Sequence, residues 1–388
     1  MEPVSQSAVS RGAVRVQGID RLRGLVIALM ALDHVRDYFS NVPFDPTDLT
    51  QTTPALFFTR WVTHFCAPIF VFLAGCSARL LGERTPRPAL QRFLLSRGLW
   101  LVALEFSVVM FAWTFNFRYP LGLVMQVIWA IGMSMCVLAA LVALPLPAIA
   151  GIALLLIAGH NLLDGIVPES WGAAAPLWNI LHVPGKIATG TVLYPLIPWI
   201  GVMAAGYVFG AVFQLETTRR RRWTAALGLG MLTAFVLLRL IDGYGEPQPW
   251  SPLERRWFTL LSFLNVTKYP PSLAYVLMTL GPGLLLLLVL ERDSRWWLRA
   301  LQTLGRVPLF AYVVHIALAH LLAGLTALAL GFGGAVLGNI FVFYPESWGF
   351  GLGGVYLAWA AVLLMLYPAC VWFAGVKQTR RTWWLSYL

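Results

Sequence analysis

The chain has 388 residues, of which 59% are hydrophobic and 12% charged, against roughly 45–50% apolar and about 25% charged in ordinary soluble domains. That balance, with 17 Trp, 23 Phe and 12 Tyr and a mean hydropathy of +0.73, excludes a soluble enzyme, because a globule of this size cannot hide so much apolar surface from water. A net charge of +11 would suggest nucleic acid in a soluble protein. Here the basic residues fall in short clusters between long apolar runs, so the expected partner is a lipid bilayer and no nucleic acid.

A hydrocarbon core of about 30 Å needs an apolar run of about 20 residues. Ten such runs are expected, over 20–40, 56–80, 92–115, 121–144, 147–164, 191–214, 223–241, 270–290, 306–330 and 352–376. The fold class is therefore all-α: a polytopic helical bundle of about ten transmembrane helices with both termini cytoplasmic. Residues 1–18 form a polar cytoplasmic N-terminus, 19–376 a single transmembrane domain and 377–388 a cytoplasmic tail. Orientation follows from the basic residues. With the N-terminus inside, 20 Lys and Arg lie on the cytoplasmic side, including Arg219 to Arg222, and five lie outside: Arg118, Lys186, Arg255, Arg256 and Lys268. No small-residue cleavage site follows the first apolar run, so no cleaved signal peptide is expected. Cys66, Cys76, Cys136 and Cys370 sit in apolar segments without metal or redox spacing and read as small buried residues.

Two outer loops, 165–190 and 242–269, are longer than a bundle requires. Within the second, Ser251 to Leu264 repeats apolar residues at helical spacing and suits a helix in the membrane interface, or a plain connector. The pentapeptide Pro168-Glu169-Ser170-Trp171-Gly172 recurs as Pro345-Glu346-Ser347-Trp348-Gly349. It reads either as an interfacial turn with a Trp anchor or as a pair of loops lining an outer mouth.

Ionisable residues inside a bilayer are costly, so each is a candidate for function. The densest group ends the first helix. Arg23 and His34 are eleven residues apart, a rise of about 16 Å with only about 20° of residual rotation, so they share a helical face. Asp37, at i+3 from His34, is within reach to orient its ring, and Asp33 is matched by Arg36. The second helix opens with Arg60 and His64 at i, i+4, facing this group. The plainer account is a set of ion pairs tying two helices together. Glu105 in the third helix and His315 in the ninth are further candidates at depth. No GxSxG elbow, Walker loop or HExxH is present, and no metal is expected.

Ile19-Asp20-Arg21-Leu22-Arg23-Gly24-Leu25, continuing to Leu32-Asp33-His34, then Ala67-Pro68-Ile69-Phe70-Val71-Phe72-Leu73-Ala74-Gly75, resembles the membrane-embedded heparan-alpha-glucosaminide N-acetyltransferase family and its bacterial relatives. So do Tyr194 to Met203, Asn265 to Ser272, and Gly305 to Phe310 leading to His315. The Arg23-x10-His34 spacing is also similar to the motif of membrane acyltransferases that O-acylate bacterial surface polysaccharides. The resemblance implies an acyl-CoA (acetyl-CoA) donor bound from the cytoplasm, a saccharide hydroxyl or amine acceptor on the outer side, and residence in the bacterial cytoplasmic (inner) membrane. One departure concerns the base. The lysosomal enzyme carries its active histidine in the segment before the second helix, whereas Ser40 to Phe58 here has none, which leaves His34 or His64.

On this reading His34, Asp37 and His64 are the catalytic candidates, with Arg23, Arg60, Asp33, Arg36, Glu105 and His315 as binding residues. Arg23 would hold CoA phosphates, and a neutral His34 would take the acceptor's proton, with Asp37 stabilising the imidazolium. The oxyanion would fall to Arg60, Asn116 or a helix N-terminus. Homo-oligomerisation is left open. Two other classes compete: a secondary transporter or flippase for a small polar or lipid-linked solute, and a structural subunit of an envelope assembly. Against the transporter, no internal inverted repeat is visible.

Overall fold

The structure, a computed structural model, describes residues 17–119, 121–292, 295–380 and 385. Most of the polar segment expected at 1–18 and of the tail expected at 377–388 lies outside the described residues. In chain order the main helices are α1 (Gln17–Phe39), α2 (Pro54–Gly82), α3 (Arg87–Thr114), α4 (Val127–Leu141), α5 (Leu146–Ala158), α6 (Leu196–Gln214), α7 (Thr217–Ile241), α8 (Leu273–Arg292), α9 (Trp296–Arg306), α10 (Pro308–Ala329) and α11 (Leu352–Thr379). The chain is an all-α, multi-pass membrane protein.

The expected count of about ten spans is corrected. Helix stands at all ten positions, but among the described residues 7 helices, α2, α3, α6, α7, α8, α10 and α11, are long and apolar enough to cross a membrane. Helix α1 fails on composition, because it carries Asp20, Arg21, Arg23, Asp33, Arg36 and Asp37. Helices α4 and α5 fail on length, at 15 and 13 residues, or about 22 Å and 20 Å of rise. The run expected as a span from 121 is short because its first residues pair as a strand. Leu123–Met125 lies parallel to Gly190–Val192, which hairpins back on Gly185–Ile187. Gly190 is required there, since a Cβ would fall 2.0 Å from the Leu123 carbonyl oxygen.

Local signals explain where the helices begin. Thr53 caps α2 by accepting from the Leu56 N–H, with Pro54 in the first turn. Glu216 caps α7 by accepting from the Thr218 and Arg219 N–H groups, and those two bonds hold its carboxyl below the usual range. The amphipathic α9, in a segment with Arg295, Arg299 and Arg306, is not among the expected elements. It presents Trp296 to the outside and packs Leu298, Gln302 and Leu304 inward.

Helix α1 is central, packed by α2, α8, α9, α10 and α11. Its crossing with α9 is set by two glycines. A Cβ on Gly24 would sit 1.8 Å from the Leu301 carbonyl oxygen, and one on Gly305 would sit 1.8 Å from that of Asp20. Small residues let backbones approach this closely in lipid, where no hydrophobic force drives helices together. The charges of α1 are thus enclosed by neighbouring helices and kept from lipid.

The outer loops only partly match expectation. Within the segment Ser251 to Leu264 a helix forms over Arg256–Leu264, later than expected, with Trp257 71% exposed. The two pentapeptides diverge: Trp171 stacks on Trp178, whereas Trp348 is buried and donates from Nε1 to the Tyr38 carbonyl at 2.7 Å, pinning the end of α1. Neither indole lines a cavity described below.

Candidate functional site

Two cavities meet along α1. The first, about 300 Å³, lies beside the N-terminal half of α1; its walls are mostly apolar, with Arg23, Ser77 and Arg97 as its polar residues. The second, about 260 Å³, lies beside the C-terminal half and is lined by His34 together with Asp33, Arg36, Asp37, Arg60 and Lys268. Met30, Ala67, Val127 and Tyr312 line both, so these four side chains form the partition between an apolar and a polar compartment. Volumes of this size suit small-molecule ligands.

His34 is oriented by a residue 281 positions away. Its Nδ1 lies 2.8 Å from His315 Nε2, and His315 Nδ1 lies 2.8 Å from the Ala311 carbonyl oxygen, one turn back on α10. A carbonyl only accepts, so His315 Nδ1 carries a hydrogen. With both rings neutral, His315 Nε2 must then accept, and His34 Nδ1 must donate to it. The remaining nitrogen of His34, Nε2, is left with its lone pair in the residue that lines the polar cavity. The rings lie 12° from parallel, and Trp113 meets His34 edge-on with centroids 4.8 Å apart. This geometry can accept a proton at Nε2 and share the resulting charge with His315.

The carboxylates act elsewhere. Asp33 takes two contacts from Arg60 Nη1, at 2.7 and 2.6 Å, and one from Arg36 at 3.0 Å. Asp37, expected to orient His34, is held instead by Arg36 Nη2 at 2.5 Å. The reason is local competition: a guanidinium at the adjacent position offers a charge-assisted bond. Arg60 and Arg36 are therefore partnered within a four-residue chain that joins α1 to α2.

Three other expected residues stand apart from the His34 ring. His64 is buried and lines neither cavity. It lies within a 3₁₀ turn, Val62–Phe65, that follows Arg60; at about 120° per residue instead of 100°, the i, i+4 pair no longer shares a face. Its carbonyl accepts from Tyr275 Oη at 2.7 Å. Glu105 sits at a π-turn of α3, fully buried, and accepts from the Trp129 N–H at 2.9 Å. It lies at the N-terminus of α4 and takes up one of the N–H groups that a helix start leaves without an intrahelical partner. Arg23 donates to the Leu73 carbonyl at 3.1 Å and to Ser77 Oγ. Of the oxyanion candidates, Asn116 donates to the Thr114 and Gly338 carbonyls and lies outside both cavity walls.

Sequence reading missed several residues that line the cavities. Lys268 and Tyr269 reach the polar cavity from the loop before α8, Tyr194 from the segment after the strand Gly190–Val192, and Tyr312 lines the partition from α10. Tyr194 and Tyr269 stood in recognisable segments, but no spacing rule ties either to His34. Among the described residues no group of three His, Cys, Asp or Glu is placed to hold a metal ion.

Residues 15–238, more than half of the chain, match the family of heparan-alpha-glucosaminide N-acetyltransferase, catalytic. The match spans α1 to most of α7 and contains Arg23, His34 and Arg60, while Lys268 and His315 lie beyond it. No curated protein matches the chain.

Proposed function

The chain belongs to the heparan-alpha-glucosaminide N-acetyltransferase catalytic family, and from that membership we propose that it carries an acetyl or other acyl group from a cytoplasmic acyl-CoA to a hydroxyl or amine of a saccharide on the far side of the membrane. Membership makes it a membrane acyltransferase; the donor, the acceptor and the direction are our reading. The observation that carries the reading is the pair of cavities sharing one partition beside His34.

The apolar cavity suits an acyl-CoA arm: it is mostly apolar and has two guanidiniums and the Ser77 hydroxyl for polar anchors. His34 lies about 16 Å along α1 from Arg23, so an arm anchored at Arg23 would bring its thioester to the partition. An acceptor in the polar cavity would meet it there. His34 Nε2 takes the proton of the attacking hydroxyl or amine as the new C–O or C–N bond forms and the thioester C–S bond breaks. The protonated ring then returns that proton to the departing thiolate. His315 holds the tautomer and shares the imidazolium charge, the part first expected of Asp37. We further propose that the arginine-rich end of the bundle faces the cytoplasm of a bacterial cell, with residues 19–376 as one domain.

The donor half can be tested by binding alone. A ligand that binds only the folded state stabilises it by mass action, by about 2.7 kcal/mol at 100 times its Kd. Acetyl-CoA should raise the Tm of the purified chain in nanodiscs, and Arg23→Gln should remove most of that shift while Arg219→Gln, outside both cavities, leaves it intact. Indifference of the wild-type chain to every acyl-CoA tried, with solute movement across liposomes, would favour a transporter.

A further inference from the structure

A third cavity, of about 260 Å³, shares no lining residue with the two that run along α1. It sits where α2 turns into α3 and α4 turns into α5, at the arginine-rich end of the bundle, and Tyr207 of α6 forms part of its wall. Nothing in the acyl-transfer reading uses it.

Its wall suits an anion. Arg79 and Arg87 both line it, and no carboxylate does. Arg79 is positioned by Glu83, at 3.0 Å, and by the Tyr207 ring, whose centroid lies 5.6 Å from Cζ. Arg87 donates to the Ala143 carbonyl at 3.3 Å. Two helices also begin at this wall, α3 with Arg87 and α5 with Leu146, and no side chain caps either of them. The first N–H groups of a helix have no intrahelical partners and carry the positive end of its dipole, so an anion is favoured there.

Tyr207 points independently to a ligand. It is only 6% exposed and lines the cavity, yet its hydroxyl makes no hydrogen bond among the described residues. A buried hydroxyl without a partner is costly, and an acceptor oxygen in the cavity would relieve that cost. Room for such an oxygen exists beside it, because a Cβ at Gly82 would sit 3.8 Å from Tyr207 Oη and glycine has none. Of the common anions, a phosphate group has enough oxygens to accept from two guanidiniums and a hydroxyl together. Leu144, in the same wall, is 40% exposed, so apolar surface adjoins the cations.

We propose that this cavity is a second anion site, separate from the donor's, that binds a phosphate group and thereby ties the α2–α3 turn to the α4–α5 turn. The phosphate belongs to a phospholipid headgroup or to a soluble anion; the site stands independently of the donor reading.

Thermal stabilisation of the full chain in maltoside micelles, which contain no phosphate, tests this. Phosphatidylglycerol and inorganic phosphate are titrated separately at constant ionic strength. At least one should raise the Tm of the wild type, and Arg87→Gln and Tyr207→Phe should each weaken its apparent affinity roughly tenfold or more. Arg87 is exposed, so its replacement should cost the fold little. Arg219→Gln, outside this cavity, should change nothing. A response to phosphatidylglycerol alone assigns the site to a lipid headgroup, and a response to inorganic phosphate assigns it to the free anion. No response of the wild type to either, or a response that survives both Arg87→Gln and Tyr207→Phe, would overturn the proposal. Acetyl-CoA stabilisation, read in the same preparations, should persist in Arg87→Gln; its loss there would make the cavity part of the donor site and overturn the separation. Its absence in the wild type would sink the donor reading and leave this site standing.

Discussion

His34→Ala will cut acyl transfer by roughly 10²–10⁴-fold, the usual worth of a positioned general base, while leaving stabilisation by acyl-CoA largely intact. The split follows from geometry. His34 lines the polar cavity only, whereas Arg23 and the apolar walls that would hold the donor belong to the other compartment. Steady-state turnover per folded molecule, with acyl-CoA binding measured separately, checks this. If His34 served only as a packing residue between α1 and α10, the variant would fold poorly in detergent yet retain near-normal turnover per folded molecule. His64→Ala should do less, because its ring is outside the cavity wall.

His315→Phe should be the next most damaging change, lowering kcat by roughly 10²-fold or more with little effect on the acceptor KM, since loss of the partner that fixes a catalytic tautomer is that costly. Phenylalanine keeps an aromatic ring but removes the acceptor at 2.8 Å from His34 Nδ1, freeing His34 to place its proton on either nitrogen. His315→Gln, whose amide oxygen can accept the same hydrogen, should recover part of the loss. Asp37→Asn, by contrast, should cost less than about tenfold, because that carboxylate bonds Arg36 and not the imidazole. A fall in Tm with kcat per folded molecule unchanged would mean that His315 is structural, and a larger loss in Asp37→Asn than in His315→Phe would return the orienting role to the carboxylate.

What was legible in the sequence was whatever depends on local repetition. Apolar runs located helix at all ten positions, and the eleven-residue interval put Arg23 and His34 on one face of α1, at the wall of one cavity each. Helix α1 carries six charged residues, and that neighbouring helices pack around them is a relation between elements that the composition of one segment does not contain. Length misjudged α4, because the strand Leu123–Met125 needs a partner 67 residues later in Gly190–Val192, which no local window contains. The contacts within the site follow the same rule. Asp37 is the neighbour of His34 in sequence, but Arg36 engages it, and the residue within hydrogen-bond distance of the His34 ring is His315 on α10. Arg60 and His64 share a face only on a regular helix, and one 3₁₀ turn breaks that spacing. Lys268 reaches the polar cavity from a loop that no motif ties to α1, so its place in the wall is a property of the assembled cavity.

Sided acyl transfer in proteoliposomes tests the central claim most directly. The full chain is reconstituted, molecules with the Arg219–Arg222 loop outward are selected by an impermeant label at that loop, radiolabelled acetyl-CoA is added outside, and the saccharide acceptor is trapped within. The account predicts acetylated saccharide inside the vesicles while CoA remains outside, and no product with His34→Ala. Product formed only when donor and acceptor share a side, or saccharide crossing the membrane without being acylated, would contradict it.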